Sequence, residues 1–283
     1  MIVPGSASQA LAAALADHAG RPLATPEFRW FPDGEECASV PDFEGQEATV
    51  VAATDSNDAF VELLQLQDAV REAGAETVTT VLPYMGYARQ DRAFEEGQPV
   101  SARAVARAVS TGTDRVILVT PHEPDVADYF DVPVDVVEAA PLLADPLPAG
   151  LRDPLFLAPD ASAEGLAVAV RDAYGGGETD FFEKVRDYDT GEVTVTPTDA
   201  DVTARDVVVV DDIIATGSTM SEAVAAIRER DCGDVYTACV HGMLAGNART
   251  KLAAAGVTRV VASDTIEREA SDVSVAPLVA DAL

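Results

Sequence analysis

Short apolar runs alternate with stretches whose apolar residues recur at helical spacing, and this alternation organises the whole chain. Runs rich in Val, Ile, Leu and Ala at residues 48–53, 77–82, 115–120, 155–158, 207–210, 235–240 and 259–262 predict strands. Between them, residues 59–73, 101–110 and 221–230 carry a helical pattern, the first of these ending at Gly74. Ser101 is placed to cap the second. Strands alternating with helices of this length call for an α/β fold, with mainly parallel central sheets flanked by helices.

The pattern also repeats. Strand, polar loop, helix, Ala-Gly-Ala turn and strand over residues 48–82 are matched by strand, Asp-Asp loop, helix, Cys-Gly-Asp turn and strand over 207–240. Two similar domains are therefore expected, one over residues 1–140 and one over 141–265, with proline-rich 141–154 as the linker. Residues 175–198 are polar and poorly patterned, and are expected to form a flexible loop of the kind that carries function or is disordered.

Composition narrows the setting. The formal net charge is −30, from 49 Asp plus Glu against 19 Lys plus Arg. Only two of those cations, Lys184 and Lys251, are lysines. The acids are spread along the chain and not blocked, so they form no acidic tail. Such a chain repels itself unless salt screens it, and at about 1 M the Debye length falls to roughly 3 Å. With abundant Ala and Val and few aromatics, this points to a cytoplasm at molar salt. There is no basic stripe, which argues against nucleic acid. No run of about 18 apolar residues predicts a membrane span, and no secretion signal is evident at the start. Cys37, Cys232 and Cys239 lack CxxC spacing and read as buried thiols of a reducing cytoplasm.

The most informative segment is Val207-Val208-Val209-Val210-Asp211-Asp212-Ile213-Ile214-Ala215-Thr216-Gly217-Ser218-Thr219. A buried parallel strand is predicted to end at two carboxylates, followed by a small, hydroxyl-rich loop and a helix. Open α/β sheets bind ligands beyond the carboxyl ends of their strands. Backbone N–H groups at such a loop and helix start can hold a phosphate, and adjacent acids can accept from ribose hydroxyls. The alternative is a core strand followed by a solvated acidic turn, which leaves Thr-Gly-Ser-Thr after Asp-Asp without a reason. The run resembles the phosphoribosyl-pyrophosphate (PRPP) loop of type I phosphoribosyltransferases.

Further motifs extend the resemblance over nearly the whole chain, and it is closest to the ribose-phosphate diphosphokinases, or PRPP synthetases, in their short archaeal form. Phe31-Pro32-Asp33-Gly34-Glu35 resembles a family segment whose acids meet the adenine and ribose of ATP. A plain surface hairpin accounts for it equally well. Pro83 through Arg92 contains Arg89 and Gln90, which by resemblance hold ATP phosphates. A guanidinium fork suits a polyphosphate. His122, in Pro121-His122-Glu123-Pro124, matches a family histidine near ATP and Mg²⁺. Mg²⁺ prefers oxygen and keeps waters, so His122 is expected to act through water or phosphate. Asp160 matches a family acid at the metal, although Ala161-Ser162-Ala163 stands where the family has a glycine run.

The resemblance assigns catalysis to Lys184 and Arg186, folding over the transferring diphosphoryl group, with Arg186 also meeting ribose 5-phosphate. A lysine kept in a chain that has almost eliminated lysine supports this. Lys251, by contrast, is read as an ordinary residue on a helical face. Ribose 5-phosphate is assigned to Asp211, Asp212, Ala215, Thr216, Gly217, Ser218 and Thr219. Residues 274–282 resemble the family's terminal helix, so 266–283 is expected to rejoin the first domain. The implied reaction is ATP plus ribose 5-phosphate giving PRPP and AMP, with Mg²⁺, in a homo-oligomer built from dimers. Two other readings share the loop: a type I phosphoribosyltransferase that consumes PRPP, and a catalytically silent relative that regulates an active partner.

Overall fold

The computed structural model describes residues 1–186, 193–196 and 200–283, with the backbone alone for 183–186 and 193–196. It divides into two compact units: unit 1 is Met1–Glu138, Asp264–Glu267 and Ser274–Leu283, and unit 2 is Ala139–Ser263 and Arg268–Val273.

Unit 1 runs β1 (Ile2–Pro4), α1 (Gln9–Ala19), β2 (Glu27–Trp30), β3 (Glu36–Ser39), β4 (Glu47–Val51), α2 (Asn57–Glu72), β5 (Thr77–Leu82), α3 (Ser101–Ser110), β6 (Arg115–Val119) and β7 (Val134–Val137). Its main sheet has the order β1-β4-β5-β6-β7, every pair parallel. Each crossover steps to the next strand in the same direction. The strands are buried because apolar side chains fill both faces: Val50, Val78, Leu82, Val116 and Leu118 share one core with Leu63 and Leu66 of α2 and Val109 of α3. Strands β2 and β3 form a separate antiparallel hairpin.

Unit 2 runs β8 (Leu155–Ala158), α4 (Glu164–Tyr174), β9 (Glu178–Phe181), β10 (Glu183–Arg186), β11 (Val193–Thr196), β12 (Val207–Ile213), α5 (Ser218–Arg228), β13 (Val235–His241), α6 (Ala248–Ala254), β14 (Arg259–Ser263) and β15 (Ser271–Val273). A last helix, α7 (Ala276–Ala282), belongs to unit 1. The sheet order is β15-β14-β13-β12-β8-β9, again parallel throughout. From β8 the chain steps outward to β9. From β12 it steps the other way, to β13. The strand order therefore reverses between β8 and β12, and such a switch point opens a crevice at the carboxyl ends of the two strands.

The α/β class with parallel sheets matches the sequence pattern, and three local expectations change. The strand expected over 207–210 continues to Ile213, because Asp211 and Ile213 stay in register with Cys239 and His241 of β13. The two acids thus lie inside the ladder. Residues 175–198, expected as one unstructured loop, contain β9, paired with β8, and the antiparallel pair β10–β11. Residues 187–192 and 197–199 lie outside the described residues. Ser101 does not cap α3. Val100 takes that position with extended backbone, and the Ser101 hydroxyl donates to Gln90 Oε1 at 2.8 Å.

Candidate functional site

Two strand ends flank the switch point of unit 2, and each delivers carboxylates. After β8, Asp160 turns the chain into a short 3-10 helix at Ala161–Ala163, accepting from the Ser162 N–H at 3.0 Å and from the Ser162 hydroxyl. The residues standing in place of glycines therefore form a capped turn around Asp160. At the end of β12, Asp212 is buried and Asp211 partly so, with the Asp211 carboxylate accepting from the Asp212 N–H at 2.9 Å. Burial, the Asp212 charge and, to a smaller degree, the Asp160 charge push the Asp211 carboxyl well above the usual carboxylate range. Three like charges converge at one crevice, an arrangement that favours a cation or several hydroxyl donors.

The loop that follows is built with its carbonyls turned one way. Ile214 O accepts from Leu244 N at 2.9 Å, Ala215 O from Ala245 N at 2.9 Å, and Thr216 O from Lys251 Nζ at 3.3 Å. A trans peptide sets its N–H opposite its C=O, so the N–H groups of residues 215–217 face away from this brace. Among the described residues, the N–H groups of 215–219 donate to no protein acceptor. Gly217 starts α5 at φ +73, with no side-chain cap on the helix. A Cβ there would also lie 3.2 Å from Ala248, so only glycine fits without strain. Every helix start leaves its first N–H groups unspent, and here the run extends back to Ala215, giving a set of donors able to bind an anion.

Lys251 differs from expectation. It does not lie on an indifferent helical face: α6 packs on α5, and the Lys251 ammonium donates to Ser218 Oγ at 2.8 Å as well as to Thr216 O. The lysine scarcity that singled out Lys184 was an equally good pointer to Lys251. Its contact was not legible because it spans thirty-three positions of sequence.

The unit 1 candidates are more scattered. Asp33, Gly34 and Glu35 form the exposed turn of the β2–β3 hairpin, where Asp33 accepts from Glu35 N at 3.2 Å and Gly34 has φ +92. Arg89 is exposed, and among the described residues no hydrogen bond or ion pair holds it. Gln90 is committed internally, accepting from Ser101 and donating to Pro99 O at 3.2 Å. The loop that carries both is fixed on the β4–α2 connection. Thr54 N donates to Tyr84 O at 2.9 Å and Gly86 N to Thr54 Oγ1 at 2.8 Å, and a Cβ on Gly86 would meet Thr54 O at 2.2 Å. His122 is exposed just beyond β6. Lys184 and Arg186 lie in β10, and their side chains are outside the described residues. No group of three His, Cys, Asp or Glu side chains among the described residues is arranged to hold a metal ion. Mg²⁺ commonly uses one or two carboxylates plus substrate phosphates, and the Asp160, Asp211 and Asp212 oxygens are of the right kind for it.

Comparison with known proteins adds independent findings. Residues 1–112 match the family model described as the N-terminal domain of ribose phosphate pyrophosphokinase, and residues 144–277 match that of the phosphoribosyl transferase domain. A ribose-phosphate pyrophosphokinase of Halobacterium salinarum is 58% identical over the full length of both chains. One from Methanosarcina mazei is 41% identical, covering 100% of this chain and 94% of its own. The crystal structure of phosphoribosylpyrophosphate synthetase from Mycobacterium smegmatis superposes with a TM-score of 0.83 at 29% identity, covering 100% of this chain and 96% of that one.

Proposed function

This chain belongs to the ribose-phosphate pyrophosphokinase family, and we propose that it transfers the β,γ-diphosphoryl group of ATP to the anomeric hydroxyl of ribose 5-phosphate, giving PRPP and AMP. The observation that carries this reading is the cradle of unspent N–H groups directly beyond two acids at the switch point of unit 2. The amides of 215–219 receive the 5-phosphate. Asp211 and Asp212 accept from the ribose hydroxyls, which fixes the sugar and presents its anomeric hydroxyl for in-line attack on the β-phosphorus. AMP departs through its α-phosphate oxygen.

Positioning and electrostatics supply most of the rate in phosphoryl transfers. In this protein, Lys184 and Arg186 are assigned the charge that grows on the transferring group, and Arg186 also steadies ribose 5-phosphate. ATP is assigned to the unit 1 elements: Arg89 for phosphate, Asp33, Gly34 and Glu35 for the nucleoside, and His122 near the phosphates through water. Gln90 shapes the ATP loop by bracing the start of α3. Mg²⁺ would be held by Asp160 together with substrate phosphates, with His122 acting through water, and when bound it offsets phosphate charge.

The same reading places the protein in nucleotide biosynthesis, in a salt-rich cytoplasm, as a homo-oligomer. No helix among the described residues is long and apolar enough to cross a membrane. The test is a coupled assay with ATP, ribose 5-phosphate and Mg²⁺ at molar KCl. AMP and PRPP should appear in equal amounts. No AMP above a protein-free blank would sink the reading.

A further inference from the structure

We propose that Lys251 is a positioning residue for the 5-phosphate: it holds the Thr216–Gly217 peptide so that the Gly217 N–H faces the anion, and it polarises the Ser218 hydroxyl beside it. This rests on the assignment of the 214–219 loop to ribose 5-phosphate.

Three successive loop carbonyls are tied back by three donors. Two are backbone groups, Leu244 N and Ala245 N, and come with the fold. The third is a side chain, Lys251 Nζ on Thr216 O, at 3.3 Å. The peptide it restrains is the one most free to turn over, because Gly217 sits at φ +73 and glycine takes both signs of φ with little cost. If that peptide flips, a carbonyl oxygen replaces an N–H in the cradle and repels phosphate. The second bond, to Ser218 Oγ at 2.8 Å, makes the hydroxyl an acceptor from Lys251, so its own hydrogen points elsewhere, to a phosphate oxygen when one is bound or to Thr216 Oγ1 at 3.4 Å. The ammonium thus stands one hydroxyl from the anion, half-buried, where screening is weaker than at the open surface.

Lys251→Met, Lys251→Gln and Lys251→Arg separate these contributions. Ribose 5-phosphate and inorganic phosphate binding are measured by calorimetry at molar KCl, beside steady-state kinetics. Lys251→Met should weaken ribose 5-phosphate binding and raise its KM about tenfold or more. The ATP KM, the kcat at saturation and the melting temperature should stay close to wild type. Inorganic phosphate should lose affinity in parallel. Lys251→Gln keeps a neutral donor and should fall between; Lys251→Arg should restore most of the affinity. The proposal is overturned if ribose 5-phosphate affinity changes less than twofold in both Lys251→Met and Lys251→Gln, or if the two KM values rise together. Wild-type protein that binds ribose 5-phosphate without making AMP would overturn the reaction and leave the Lys251 result to stand on binding alone. Wild-type protein that binds neither ribose 5-phosphate nor phosphate would overturn both.

Discussion

The connection from β4 to α2 and the connection from β12 to α5 are one design built twice, and they differ in which backbone groups the rest of the protein ties down. In unit 1 the donors directly after the strand are tied to the protein: Ala52 N goes to Val81 O, Ala53 N to Ser8 Oγ and Thr54 N to Tyr84 O, and Ser56 caps α2 by accepting from Ala59 N. In unit 2 the carbonyls are consumed, by residues 244, 245 and 251, and the N–H groups of 215–219 are left over. Sheet order parallels the difference. The strands of unit 1 advance in one direction, whereas those of unit 2 reverse at the β8–β12 boundary. A duplicated βαβ unit is thus fastened through its post-strand N–H groups in one copy and through its loop carbonyls in the other.

The sharpest way to break this contrast is to neutralise the acids on each side. Asp211→Asn or Asp212→Asn should cut kcat/KM for ribose 5-phosphate by roughly 10²-fold, as expected when a hydrogen bond to a charged group is lost. Asp55→Asn, in the β4–α2 connection of unit 1, should change it less than about threefold. Thermal melting without ligand should move the other way for Asp211→Asn, upward, because a buried carboxyl crowded by like charge is removed. A lower melting temperature would argue that the pair is structural.

Gly217→Ala comes next. Placing a Cβ at φ +73 against Ala248 should cost about 1–2 kcal/mol of stability by denaturant titration, and raise the ribose 5-phosphate KM. Ser56→Ala should cost about 1 kcal/mol as a lost helix cap, with that KM unmoved. If Ser56→Ala instead altered KM, the contrast between the two connections would fail.

The smallest effect concerns Glu62 of α2, which is buried, accepts from Ser6 N at 2.6 Å, and is pushed up chiefly by burial and further by the Asp55 charge. A carboxyl raised on folding stabilises below its unfolded pKa, and that contribution disappears as pH rises through the folded value. Glu62→Gln should therefore gain melting temperature over wild type progressively as pH rises from 4 toward 8. A constant difference across that range would remove the assignment.

Much of this was legible in the chain because it rests on local patterns. The strand of four consecutive valines, Val207 to Val210, was readable as buried on both faces, and the residues after it as a small-residue loop leading into a helix. What escaped depends on partners distant in sequence. β9 reads Glu-Thr-Asp-Phe, with one apolar residue and no alternation, and is a strand only because β8 offers it an edge. Gln90 looked like a ligand donor, yet Ser101 and Pro99, about ten positions away, take both ends of its amide. Lys251 looked idle because periodicity places it on α6 and says nothing of what α6 packs against.

The return of α7 to unit 1 has a consequence for how the protein is made. α7 packs on α1 and β7, the Arg115 guanidinium donates to Ala282 O at 2.7 Å, and Asp264 accepts from Val275 N at 2.9 Å. Unit 1 receives its last helix only after the residues of unit 2 have been made, because 274–283 follow them in the chain. Unit 2 is an insertion whose strands are all available before that, so its parallel sheet can be assembled while unit 1 still waits for α7.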